Sequence, residues 1–206
     1  MAAGIFGMII TRPFTALALA VPIYLFLLTS KPKWRDLLIV AGGGAVGVGV
    51  VLWHNYQLSG DPFTSGYGLY LGPGQGPGFG DRGPGRGYHN LSDGLFYLFL
   101  NLRSINTWLF ARPLPSLCLF VIPLVKTRLA SIETLLLGCA LSLGAAHIAY
   151  WDFLDELMDP RFLFDIIGVL VFFSAHGYCQ LEDMLGTLAA RTILRCALIA
   201  NVTYGW

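Results

Sequence analysis

The chain has 206 residues, of which 55% are hydrophobic and only 12% charged, with a mean hydropathy of +0.65. A soluble domain carries about a quarter charged residues, so too few polar side chains are present to cover a water-exposed surface, and the sequence reads as an integral membrane protein. Its formal net charge of +1 gives no overall field for nucleic acid or for a strongly acidic partner.

Residues 1–10 lack a basic region, and the apolar run after Arg12 leads to lysines instead of a small-residue cleavage site, so this stretch does not read as a signal peptide. Residues 14–29, closed by Lys31, Lys33 and Arg35, approach the about 20 apolar residues that cross a bilayer and form the first expected span. A second runs from Asp36 to about His54, where Gly43 and Gly47 offer a small-residue face for close helix packing.

Residues 55–92 are rich in glycine and proline and read as a long loop outside the hydrocarbon. Gly78, Gly80 and Gly83 spell GxGxxG, but no strand pattern precedes them and Pro84 and Gly85 follow where a dinucleotide-binding helix would begin, so the motif reads as accidental. Residues 93–111 form an expected interfacial amphipathic helix, with Asp93, Tyr97, Asn101 and Ser104 opposite Phe96, Phe99 and Leu102. Arg112, Pro113 and Pro115 break it. Further spans are expected over residues 114–125, 131–151 and 162–179, and the apolar residues from Arg191 reach Trp206 without completing another crossing.

The expected fold is all-α. It is a single polytopic transmembrane helix bundle over residues 1–206, with about five spans, one interfacial helix and a Gly-rich extracytoplasmic loop. Lys31, Lys33, Arg35, Lys126 and Arg128 place their loops in the cytoplasm. Loops 55–92 and 152–161 then lie outside it, in a protein integral to the cytoplasmic (inner) membrane.

Ionisable residues near membrane depth are candidate functional groups because their burial is costly. Asp152, Asp155, Glu156, Asp159 and Asp165 could hold a divalent cation or act as a base; equally, they form a solvated acidic loop in which Arg161 pairs with Asp165. His54, His89, His147 and His176 show no metal-ligand spacing, and each alone reads as a satisfied interfacial side chain. His147 opens toward the acidic loop beside Tyr150 and Trp151. In the glycine-rich loop, Asp61, Asp81, Arg82, Arg86 and His89 are the chemistry-bearing side chains. The cysteines Cys118, Cys139, Cys179 and Cys196 lack CxxC spacing and read as small hydrophobes, giving neither a disulfide nor a metal site. The sequons at Asn90 and Asn201 are short patterns that arise easily by chance.

Several local patterns occur in an order that resembles the later part of bacterial membrane glycosyltransferases of the C fold class, relatives of the protein O-mannosyltransferases in glycosyltransferase family 39. They are Thr11-Arg12-Pro13, Asn55-Tyr56, Gly60-Asp61-Pro62, Gly78-Phe79-Gly80 with Arg82, His89, Asn101-Leu102, Asn106, Trp108-Leu109-Phe110, Tyr150-Trp151 and Pro160-Arg161-Phe162 with Asp165. Where the family has glycine before its Pro-Arg pair, this chain has Asp159. The resemblance implies sugar transfer from a polyprenyl-phosphate donor on the extracytoplasmic side. It implies that Arg161 faces the donor phosphate, a role for which a fixed cation is suited. Asp61 and His89 would border the acceptor cavity, with Tyr150 also a substrate-binding candidate. The family's catalytic carboxylate lies in an earlier loop for which no counterpart is found here, so the catalytic residues are unknown. The chain is expected to be the C-terminal portion of a transferase, either a truncated reading frame or one piece of a split protein whose partner carries the N-terminal half. Competing readings are a transporter or channel subunit with Asp165, His147 and His176 along a path, and a noncatalytic membrane scaffold.

Overall fold

The computed structural model describes residues 2–30, 33–71, 78–81, 87–110, 116–126, 129–149 and 165–204. Among them the chain is almost wholly helical, as expected for an all-α protein. The elements are α1 (Ala2–Thr11), α2 (Pro13–Thr29), α3 (Trp34–Ser59), α4 (Gly66–Leu71), β1 (Gly80–Asp81), β2 (Tyr88–His89), α5 (Leu91–Phe110), α6 (Ser116–Lys126), α7 (Ser131–Ile148), α8 (Ile167–Leu185) and α9 (Thr187–Tyr204).

Several boundaries differ from those read in the sequence. The second expected span does not stop near His54: α3 continues through the polar residues 55–59 until Gly60, whose φ of 75° ends it. Local backbone bonding outlasted the apolar pattern there. The glycine-rich loop contains α4 and the antiparallel pairing of Gly80 with His89 and Asp81 with Tyr88, so Gly80 of the apparent GxGxxG belongs to a hairpin. α8 runs on past Cys179 to Leu185, and α1 forms over a stretch that showed no separate element.

Among the described residues, two helices, α3 and α7, are long and apolar enough to cross a membrane. At 26 residues α3 is about 39 Å long, beyond the roughly 30 Å of a bilayer core.

The chain divides into two compact units, Met1–Leu95 with Leu141–Asp152, and Phe96–Ala140 with Phe153–Trp206. The division falls inside α5 and α7.

In the first unit, the backbone breaks at Arg12 (φ −143°, ψ 74°) and Pro13 opens α2, where a missing N–H costs nothing. α1 lies along α3. A side-chain carbon added to Gly43 would stand 3.0 Å from the Ala2 Cβ, and one added to Gly47 would stand 3.1 Å from the Ile9 Cβ. The small-residue face of α3 is thus occupied by α1.

α2 turns its small residues inward and its large ones outward. Ala16, Ala18 and Pro22 are buried, whereas Leu17, Val21, Leu25 and Leu28, one stripe at helical spacing, are each more than half exposed. A helix bordering water would bury that stripe instead. Pro22 has no N–H to offer the Ala18 carbonyl four residues back. The Ser142 hydroxyl of α7 supplies the missing bond, donating to Ala18 O at 2.6 Å.

In the second unit α6 also carries an internal proline, Pro123, which deprives the Leu119 carbonyl of its intrahelical donor. Gly177 of α8 rests against that carbonyl so closely that a Cβ would overlap it. Phe173, fully buried, meets Phe120 edge to face at 5.4 Å beside the fully buried Pro123. In α5, Gly94, Ser104 and Ile105 are buried, while Phe96 and Phe99 are exposed. Phe96 and Phe99 thus point outward, while of the polar stripe Ser104 is buried and Asp93, Tyr97 and Asn101 are partly exposed.

Candidate functional site

Among the described residues, polar side chains gather at two places, one in each unit. The first begins where α3 stops. The Gly60 N–H returns to Tyr56 O at 2.8 Å, and the Asn55 amide donates to Pro62 O at 3.1 Å. Ser59 Oγ donates to Asn55 O and accepts the Asp61 N–H. Asp61 in turn accepts the Thr64 hydroxyl on one carboxylate oxygen and the Phe63 N–H on the other. Those two donors, the Thr64 hydroxyl foremost, hold the Asp61 carboxyl below its ordinary range. Asp61 is therefore an exposed, ionised group anchored in its own turn.

His89 is placed differently from what an accessible cavity residue would need. It is completely buried, stacked on Phe79 with centroids 5.4 Å apart and planes inclined by 17°. Its Nε2 lies 3.2 Å from Ile148 O, and because a carbonyl only accepts, Nε2 carries the proton. The Gly78 N–H donates to the neighbouring Ala149 O at 2.6 Å. Gly94 lies against the Ile148 carbonyl, with no room for a Cβ. The last carbonyls of a helix lack intrahelical donors, and here the hairpin supplies them at the end of α7. Asn90 and Asp93 exchange N-terminal caps at 3.0 and 3.1 Å, which starts α5 directly after His89.

His147 donates from Nδ1 to Leu143 O at 2.8 Å and meets Phe14 edge-on at 6.0 Å. With the Ser142 bond to Ala18, that contact fixes α7 antiparallel to α2. The end of unit 1 bearing His147 therefore also carries the start of α2, the start of α5 and the hairpin. Arg161 and Tyr150 lie outside the described residues, as do Arg82, Arg86, Asp152, Asp155, Glu156 and Asp159.

The second group was not evident in the sequence. Glu133, in the first turn of α7, accepts the Ala130 N–H on Oε2 at 2.7 Å, a capping bond. Its Oε1 lies 3.1 Å from His176 Nδ1 on α8, with the two side chains only 12% and 33% exposed for Glu133 and His176. One turn along α8, the Gln180 amide nitrogen lies 3.2 Å from His176 Nε2. Farther along, Glu182 pairs with Arg191 of α9 at 3.6 Å. The helical spacing of His176 and Gln180 and the capping position of Glu133 were readable signals; their meeting was not. Among the described residues, no three His, Cys, Asp or Glu side chains converge as a metal ion would require.

No protein-family model matches the chain, and no match was found among curated proteins or solved structures.

Proposed function

We propose that the chain is a multi-pass protein of the cytoplasmic membrane and part of a polyprenyl-phosphate-sugar-dependent glycosyltransferase. Its crossings are α2, α3, the segment containing α6, α7 and α8, with α5 interfacial. The observation that carries the membrane reading is the inverted burial of α2, where alanines and proline face the protein and Leu17, Val21, Leu25 and Leu28 face outward. Five crossings leave loops 55–92 and 152–161 outside and Lys33 and Arg35 inside.

The transferase reading is supported by the ordered motif residues. Asn55, Gly60, Asp61 and Pro62 build one self-bonded turn, and Gly78, Phe79 and His89 build the hairpin that caps α7. These residues thereby shape the proposed outer surface, and Asp61 is an exposed acid on it. Arg161 is the proposed contact for the donor phosphate, and Tyr150 a further substrate contact. The sugar donor, an acceptor, and a partner bearing the catalytic carboxylate complete the proposed assembly.

The test is binding of a radiolabelled polyprenyl-phosphate sugar to the protein purified from native membranes with whatever accompanies it. Saturable binding, displaced by unlabelled donor and weakened at least tenfold by Arg161→Ala, is expected. Saturable binding unaffected by that substitution would remove Arg161 from its role, and absence of saturable binding would remove the transferase reading. In the latter case, solute flux through reconstituted vesicles would separate the transporter from the scaffold.

A further inference from the structure

The Glu133, His176 and Gln180 group shares no residue with those to which the transferase reading applies, and it stands independently of that reading. At Nδ1 the ring faces a carboxylate oxygen, which only accepts, so Nδ1 carries a proton. At Nε2 the ring faces the amide nitrogen of Gln180, which only donates, so Nε2 offers its lone pair. In this arrangement the Nδ1 proton faces Glu133 and the Nε2 lone pair faces Gln180. Glu133 cannot turn away freely, because its other oxygen takes the Ala130 N–H at the start of α7.

We propose that these three residues form a proton-binding site, at which uptake of a proton on His176 Nε2 reverses the Gln180 amide from donor to acceptor. A half-turn of the terminal amide exchanges its nitrogen for its oxygen in nearly the same position, so either protonation state is matched without moving the helices. The incoming proton comes from water, and a third of the His176 side chain is exposed. The Nδ1 proton stays on the ring, and its bond to Glu133 changes from neutral–charged to an ion pair, among the stronger hydrogen bonds that proteins form.

The charged groups near the ring come from three helices. From α7 there is Glu133; on α8 itself there are Glu182 and Asp183, about two turns along; from α9, Arg191 holds Glu182 at 3.6 Å, and Arg195 is exposed. The described side chains of α6 include no titratable group.

The site is tested on the full chain in bilayers, with nitrogen-15 in histidine and carbon-13 and nitrogen-15 in glutamine, by NMR across a pH series. The expected result is a neutral His176 ring protonated on Nδ1 at alkaline pH. On acidification Nε2 gains its proton, and the Gln180 side-chain carbonyl and amide signals shift with the same midpoint. His176→Phe is expected to abolish the Gln180 shift. A neutral ring protonated on Nε2, or Gln180 signals that stay flat while His176 titrates, would overturn the proposal; both are read in the unmodified protein, whatever the stability of the variant.

Discussion

α2 and α6 each carry an internal proline, and each therefore releases a backbone carbonyl that a dry interior cannot leave unmet at low cost. In unit 1 the Ala18 carbonyl receives a hydroxyl from Ser142 of α7. In unit 2 the Leu119 carbonyl is covered by the bare backbone face of Gly177 on α8. One solution is a directed bond and the other a close approach. A lost hydroxyl should therefore be tolerated better than an added carbon.

The largest effect is expected from Gly177→Val, which forces α6 and α8 apart around the Leu119 carbonyl. Overpacking of this kind costs about 1–3 kcal/mol and can cost more against rigid backbone, to be read as a lower melting temperature of the purified protein. Gly177→Ala should fall in the same direction by a smaller step.

Next comes His89→Leu, which keeps an apolar side chain against Phe79 but removes the donor to Ile148 O. Leaving a buried acceptor unmet costs about 1–3 kcal/mol. The same melting measurement checks this value, and faster hydrogen exchange around Tyr88 and Leu91 would localise the loss to the hairpin. Because His89 is fully buried, this substitution should act through stability.

Ser142→Ala should cost less, about 0.6 kcal/mol, the average found for interhelical hydrogen bonds in membranes, and no more than about 1.7 kcal/mol. A double-mutant cycle sharpens the comparison. With Pro22→Ala, residue 22 regains an N–H for the Ala18 carbonyl, so Ser142→Ala should then be nearly silent; equal costs in both backgrounds would disprove the pairing.

The smallest expected effect concerns Asp61. Its folded carboxyl titrates below the ordinary value because of Thr64 and the Phe63 N–H. The stabilisation of that turn is therefore fully present above the ordinary carboxylate range and is lost as pH falls through the lowered folded value. Exchange protection of the Phe63 amide should follow that fall, and Asp61→Asn should flatten its pH dependence.

The extent to which structure was legible varied by segment for physical reasons. α2 was visible because Lys31, Lys33 and Arg35 close an uninterrupted apolar run, and α7 because a second such run follows Lys126 and Arg128. The end of α3 was missed by several residues, since the polar run 55–59 stays helical and only Gly60 turns the chain. Pro22 announces in the sequence that Ala18 needs a donor, but nothing local names Ser142, 124 residues away. His89 and His176 looked alike as isolated histidines. Tertiary partners made the first a buried cap on Ile148 and the second a member of a carboxylate–imidazole–amide group. The order of the motif residues was readable, whereas their bonding to one another as turn and hairpin was not.

The most direct test of the proposal that the chain is threaded through a bilayer, with loop 55–92 outside and the loop bearing Lys126 and Arg128 inside, is cysteine accessibility in intact cells. The native cysteines are replaced by serine, and single cysteines are placed at Ser65 and at Ala130. A membrane-impermeant maleimide is expected to label position 65 in intact cells and position 130 only after the membrane is opened. Labelling of both positions from the same side, or recovery of the protein in the soluble fraction, would contradict the account.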